Sequence, residues 1–175
     1  MGYSVELYFD EASRARLQSL QNACTQFGGL PPRSDDARPH VSLVVAETLD
    51  LPAAQVLVRS FASANKPFEL SLASVGFFPS TEQVAFLAPK VNTDLLALHA
   101  EFFGLFGTVA SGIWQHYSPA QWVPHCTLAT RYPGNRVQGL LELCGSLGLP
   151  LCCKVVEMGI VHFPPARQLS LVRLG

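Results

Sequence analysis

The chain repeats itself once, and that repeat limits what it can fold into. The segment Pro39-His40-Val41-Ser42-Leu43 returns as Pro124-His125-Cys126-Thr127-Leu128, an offset of 85 residues. With 13 Pro and 5 His in 175 residues, chance supplies about 0.4 Pro-His pairs, whereas two occur. The same offset, without a gap, lays Phe78-Pro79 on Phe163-Pro164 and Gln83 on Gln168. A coincidence confined to five residues does not reach these outlying positions. The chain is therefore expected to be one bilobal domain over 1–175, a duplicated unit of about 85 residues behind a short leader, with copies near 10–91 and 92–175.

Local patterns agree with a duplication. A strand near 3–9 precedes a helix over about 11–27, where Leu17, Leu20, Cys24 and Phe27 recur at helical spacing and Gly28-Gly29 ends the run. A Pro-rich loop leads to a strand from Pro39, then a helix near 52–65 and strands near 68–77 and 83–90 around the turn Pro79-Ser80-Thr81. The second copy opens with a helix from Asn92 or Thr93 to about Phe106, Asn92 being a good capping residue. A long loop, a strand near 125–131, a helix near 135–148 and strands near 151–162 and 167–174 complete it. Each half thus reads helix, loop, histidine strand, helix, hairpin. The expected class is α+β, with two mainly antiparallel sheets facing a central cleft across a pseudo-twofold axis and helices outside.

The repeated strands carry the chemistry. Residues two apart on a strand share a face, so His40 and Ser42 point one way while Val41, Leu43 and Val45 point the other. His125 and Thr127 likewise oppose Cys126 and Leu128. The apolar faces can pack on helices, leaving an imidazole and a hydroxyl on each remaining face. Twofold symmetry would bring the two polar faces together.

Two imidazoles and two hydroxyls suit phosphodiester cleavage or the opening of a cyclic phosphate. One histidine takes a proton from the nucleophile and the other gives one to the leaving oxygen, both states being accessible near neutral pH. The hydroxyls can donate to the non-bridging oxygens. A lone histidine is more often a satisfied structural residue; two at a fixed offset, each with a hydroxyl two residues on, favour a site. Zinc binding is the competing chemistry, but no third ligand repeats and no H-x-H or H-x-x-x-H pair occurs. A His125–Cys126 nucleophilic pair fails because neighbours on a strand face opposite sides.

At these residues the chain resembles the 2H phosphoesterase superfamily, and within it the 2′-5′ RNA ligase-like proteins. His40-Val41-Ser42-Leu43 and His125-Cys126-Thr127-Leu128 look like that group's paired H-x-[ST]-L signature. Val75-Gly76-Phe77-Phe78-Pro79, followed by Gln83-Val84-Ala85-Phe86-Leu87, is similar to the hairpin between its motifs. The resemblance implies a bilobal fold, metal- and ATP-independent chemistry with no cofactor, and 2′,3′-cyclic phosphates or 2′-5′-linked nucleotides as substrates. It implies acid–base roles for His40 and His125 and phosphate binding by Ser42 and Thr127. Reversible 2′-5′ ligation, a 2′,5′-oligoadenylate phosphodiesterase and a non-catalytic binder of RNA termini remain alternatives. Ser42 keeps the hydroxyl of a Thr-Thr pairing but not its stiff β-branched rotamer.

Specificity for an asymmetric nucleotide must come from residues that do not repeat. Arg38 precedes Pro39, is biased to extended geometry and falls on the His40 face, where it either reaches a phosphate or stays a solvated loop arginine. Arg33 is expected to be solvated, and Arg131 lies too far along its strand for more than a distal contact. The loop from about 107 to 124 is long for a connector and carries Trp114, His116, Tyr117 and Trp122. Its rings either stack a base or pin the loop to the body. His99, amid Leu95, Leu96 and Phe102, is expected to be structural, and His162, aligned with Phe77, a packing position with a polar tip.

Composition narrows the partners. Twelve Lys and Arg against 13 Asp and Glu give a formal charge of −1, too little for holding long nucleic acid by counterion release. A small cyclic nucleotide or an RNA terminus is expected, with a monomer favoured. No apolar run is long enough to span a bilayer, and neither a secretory signal nor a myristoylation signal is visible at the amino terminus. Five scattered cysteines form no disulfide framework and are expected to be small buried hydrophobes in a reducing cytoplasm.

Overall fold

A computed structural model describes residues 1–31, 37–146 and 148–175. Arg33 lies outside the described residues, as does most of the Pro-rich loop. Among the described residues eight strands and four helices follow one another, in the expected order apart from β5: β1 (Gly2–Phe9), α1 (Glu11–Cys24), β2 (His40–Leu49), α2 (Leu51–Ala64), β3 (Phe68–Phe78), β4 (Val84–Pro89), α3 (Thr93–Phe106), β5 (Ala110–Ile113), β6 (Cys126–Ala129), α4 (Val137–Ser146), β7 (Leu151–Phe163) and β8 (Arg167–Arg173). β5 falls inside the segment expected to be loop; it is a four-residue edge strand with no alternating apolar pattern to announce it.

Helix boundaries follow their caps. Asp10 accepts from Ser13 N at 2.9 Å, Asp50 from Ala53 N at 3.1 Å and Asn92 from Leu95 N at 2.8 Å. Each satisfies an amide that the first turn leaves without a partner. α1 runs on into a 3₁₀ turn at Thr25–Phe27, and Gly28 ends it at φ 87°, a left-handed conformation that glycine adopts without steric cost. α3 buries Leu95, His99, Phe102 and Phe106, one stripe at helical spacing. Phe102 meets Phe61 of α2 edge-on at 5.0 Å, which locks the two helices together.

All strand pairs are antiparallel, in the order β5-β2-β1-β7-β3-β4-β6 with β8 also on β7. The α+β class is as expected. In place of two separate sheets, one ladder runs through all eight strands, because the 13-residue β7 serves both ends of the molecule. Its first residues, 151–155, pair with β3, while 155–163 pair with β1. Val155 has Phe9 on one side and Phe68 on the other.

The pairing crosses between the two halves of the chain. The hairpin of the first half, β3-β4, carries the second histidine strand through β4·β6. The hairpin of the second half, β7-β8, carries the first histidine strand through β7·β1 and β1·β2. An offset in sequence does not reveal this crossing.

Val41, Leu43, Cys126 and Leu128 are fully buried, whereas His40, Ser42, His125 and Thr127 are half-buried, so both histidine strands alternate as expected. All five cysteines are free, and four are buried. Cys152 is a correction: it is exposed, because the alternation of β7 that buries Leu151 and Cys153 turns it outward. No helix among the described residues is long and apolar enough to cross a membrane.

Candidate active site

Each histidine is held in the same way. The Nδ1 of His40 lies 2.7 Å from the carbonyl of Arg38, and that of His125 lies 2.7 Å from the carbonyl of Val123, again two residues upstream. A carbonyl can only accept, so Nδ1 carries the proton and Nε2 is left for proton transfer. The residue between is a proline in both cases, Pro39 and Pro124, whose ring fixes φ and restricts the backbone that carries the carbonyl to the imidazole.

The hydroxyl residues are anchored through their backbones. Trp122 donates from Nε1 to the Ser42 carbonyl at 3.0 Å, and Gln21 of α1 donates from Nε2 to the Thr127 carbonyl at 2.8 Å. One residue on, the imidazole of His99 meets the Leu43 carbonyl at 3.0 Å. His99 is buried and stacks on Trp122 at 3.8 Å with the rings 4° from parallel, so it is structural, as expected. Burial lowers its pKa, consistent with a neutral ring.

His40, Ser42 and Thr127 line one cavity of about 310 Å³. His125 lines an adjoining cavity of about 520 Å³ with Phe78, Val84 and Val123. Glu82, Trp114 and Tyr117 border both. Tyr117 and Ser42 share the wall of the smaller cavity, and burial pushes the Tyr117 pKa up to about 12, so it stays a neutral phenol.

The two imidazoles differ in surroundings. His125 packs against a pair of rings 4.3 Å apart, Phe78, edge-on at 5.1 Å, and Phe86 at 5.2 Å. Desolvation lowers its pKa; the Val123 carbonyl opposes that, and the charge of His40 adds to it. Phe86 fits because Gly76 lies opposite it on β3: a Cβ there would fall 2.2 Å from the Phe86 ring. His40 instead faces β1. Tyr8 meets its ring nearly at right angles at 6.3 Å, and Oε2 of Glu6 lies 3.4 Å from its Nδ1.

The non-repeating residues divide. Arg38 does not line the cavity of His40 and Ser42. Its guanidinium sits 3.9 Å over the Tyr8 ring and 3.4 Å from both Glu157 and the Gln168 side chain. Arg38 is thus ion-paired with β7, and its backbone carbonyl holds the His40 ring. Trp122 is buried, with one face on His99 and its N–H on Ser42, and braces the loop. Trp114 is 43% exposed at the rim, its edge toward Phe163 at 6.1 Å. His116 is exposed in the wall of the larger cavity, Arg131 is exposed, and His162 packs on Tyr3 at 5.0 Å.

Sequence reasoning passed over Glu6, Tyr8, Glu82 and the pair Phe78 and Phe86. A signal existed for the first two. Ser4, Glu6 and Tyr8 alternate with buried Val5, Leu7 and Phe9, which marks a polar face within a buried strand. Among the described residues no three His, Cys, Asp or Glu side chains converge as a metal centre needs.

Two H-x-[ST]-L strands presented by one α+β sheet define the class of 2H phosphoesterases. The family model described as the 2′-5′ RNA ligase superfamily matches residues 9–164, and the chain belongs to that family. No curated protein matches the sequence. Among solved structures, TT0787 of Thermus thermophilus is similar at 21% identity and a TM-score of 0.63, covering 99% of this chain and 98% of that one. Escherichia coli LigT complexed with 3′-AMP follows at 16%, 0.64, 98% and 97%. Kluyveromyces marxianus Usb1 has 12% identity and a TM-score of 0.52, with 99% and 96% covered. These likenesses establish the fold; membership of the family supports an enzyme of phosphodiester chemistry.

Proposed function

We propose that the chain is a phosphodiesterase that opens 2′,3′-cyclic phosphates or cleaves 2′-5′ phosphodiesters at RNA ends or in small nucleotides, by two-histidine acid–base catalysis without metal or ATP. The observation that carries this reading is the twinned orientation of His40 and His125, each with Nδ1 on a carbonyl two residues upstream and, among the described residues, no hydrogen bond on Nε2. One Nε2 accepts the proton of the attacking water as its oxygen bonds to phosphorus. The other donates a proton to the ribose oxygen as its bond to phosphorus breaks. Ser42 and Thr127, on the wall of one cavity, donate to the non-bridging oxygens as charge builds there.

The base is assigned to the larger cavity beside His125, against Trp114 and Tyr117, whose rings offer stacking surface. Trp122 is a brace in this scheme rather than a platform. A formal charge of −1 fits a substrate with few phosphates. Reversible 2′-5′ ligation uses the same groups, with a ribose 5′-hydroxyl in place of water, and the name of the matched family favours testing it alongside. LigT has been crystallised with 3′-AMP and with phosphate, which supports a small nucleotide as the ligand class.

The test is a panel of 2′,3′-cyclic nucleotides and 2′-5′ dinucleotides in excess chelator. Turnover of at least one is expected; turnover that disappears with chelator contradicts the metal-free mechanism.

A further inference from the structure

β1 places three polar side chains, Ser4, Glu6 and Tyr8, on the face it shares with His40. Its register sets Glu6 opposite Ser42 and Tyr8 opposite His40. Glu6 is only 7% exposed, and both its oxygens are engaged: Ser4 Oγ donates to Oε1 at 2.6 Å and Tyr8 OH to Oε2 at 2.8 Å. Burial, and next the Glu6 charge, push the Tyr8 phenol well above its ordinary pKa, so it donates and does not ionise. Two neutral donors stabilise a carboxylate without cancelling its charge. A buried carboxylate calls for polar partners, and the His40 ring faces it, with Nδ1 3.4 Å from Oε2.

The other charged and titratable groups around His40 do not take that place. Arg38 is paired with Glu157 of β7 and covers Tyr8. Glu82 and Tyr117 border the same cavity, and Tyr117 is held neutral. His125, immediately before β6, packs on its pair of aromatic rings, where desolvation favours the neutral imidazole.

We infer that Glu6 is a positioning residue that aims His40 as the proton donor and so leaves His125 to act as the base. The inference rests on the phosphodiesterase reading and adds a direction to it. His125 Nε2 takes the proton from water, the water oxygen bonds to phosphorus, the bond from phosphorus to the leaving ribose oxygen breaks, and that oxygen takes the proton from His40 Nε2. Glu6 exchanges no proton; it faces Nδ1, on the far side of the ring.

The test compares two leaving groups. A 2′,3′-cyclic nucleotide expels an alkoxide that needs a proton, whereas a p-nitrophenyl nucleotide diester expels a phenolate that does not. Glu6→Gln keeps the shape and removes the charge. It is expected to lower kcat on the cyclic nucleotide by ~10- to 100-fold, within the usual range for acid–base assistance, with KM nearly unchanged and the p-nitrophenyl ester spared. Glu6→Asp, which keeps the charge, recovers part of the loss. Equal losses on both substrates, a change confined to KM, or full activity of Glu6→Gln overturns the inference. Should Glu6→Gln fail to fold, His40→Ala and His125→Ala decide on the same pair. His40→Ala is expected to spare the p-nitrophenyl ester and His125→Ala to lose both; the reverse overturns the assignment. Wild-type protein inactive on every phosphodiester removes the underlying function instead, and the inference with it.

Discussion

Trp122 donates its indole N–H to the carbonyl of Ser42 at 3.0 Å, so a residue leading into the second histidine strand fixes the backbone of the first. Its ring lies flat on His99, which in turn holds the Leu43 carbonyl. Trp122→Phe removes the donor and leaves a ring to stack. The buried carbonyl loses its partner at a cost of about 1–3 kcal/mol, and thermal unfolding is expected at a correspondingly lower temperature. Because the Ser42 strand is loosened, turnover falls as well. An unchanged melting temperature would show that the bond carries nothing.

Gly76 makes room for the aromatic slot around His125. Gly76→Ala drives its methyl into the Phe86 ring, which lies 4.3 Å from Phe78 and 5.2 Å from His125. Overpacking of this kind costs about 1–3 kcal/mol. The expected result is a less stable protein with reduced turnover. Adding Phe86→Leu to Gly76→Ala restores stability more than it restores activity, since the ring against His125 is then missing. Full activity of the double variant would show that the slot has no catalytic part.

The pH dependence of stability has a definite sign. Burial lowers the pKa values of His99 and His125 below the ordinary 6.5. Above that value both states hold the rings neutral, and the contribution to stability is fully present. As pH falls below 6.5 the unfolded chain binds protons first, so stability declines and continues to decline through the depressed folded values. Denaturant unfolding from pH 8 to pH 5 is expected to show the loss on the acid side, and His125→Asn to make it shallower. The acid limb of kcat/KM is likewise expected below 6.5, since the base must be neutral. Stability rising as pH falls contradicts the burial assigned to both rings.

Arg38 is expected to act through β1. Arg38→Ala uncovers Tyr8 and leaves Glu157 without its ion-pair partner. Turnover should fall by a similar factor on every substrate. A changed preference among substrates, with the rate on the smallest one intact, would return Arg38 to the binding surface.

Much of this arrangement is legible in the residues alone. The caps at Asn92 and Gly28, the helical spacing of Leu17, Leu20 and Cys24, and the alternation around His40 and His125 are local properties, and the structure keeps them. What is not local was hidden. The crossing of β4 onto β6 and β7 onto β1 depends on which of two equivalent strands is joined, and the offset of 85 is the same either way. Arg38 sits on the expected strand approach, but its charge answers Glu157, 119 residues away. Glu6 had a sequence signal in its alternation with Val5 and Leu7, yet its meaning rests on a register with β2 that the sequence does not print.

The most direct measurement is the hydrolysis rate of 2′,3′-cyclic nucleotides by the wild-type protein, His40→Ala and His125→Ala in excess chelator. If Nε2 of each ring moves a proton, both variants stay folded and each loses ~10²–10⁴-fold in turnover, the usual contribution of a general acid or base. If the wild type is active and either variant keeps a near-normal rate on the same substrates, the two-histidine mechanism is wrong.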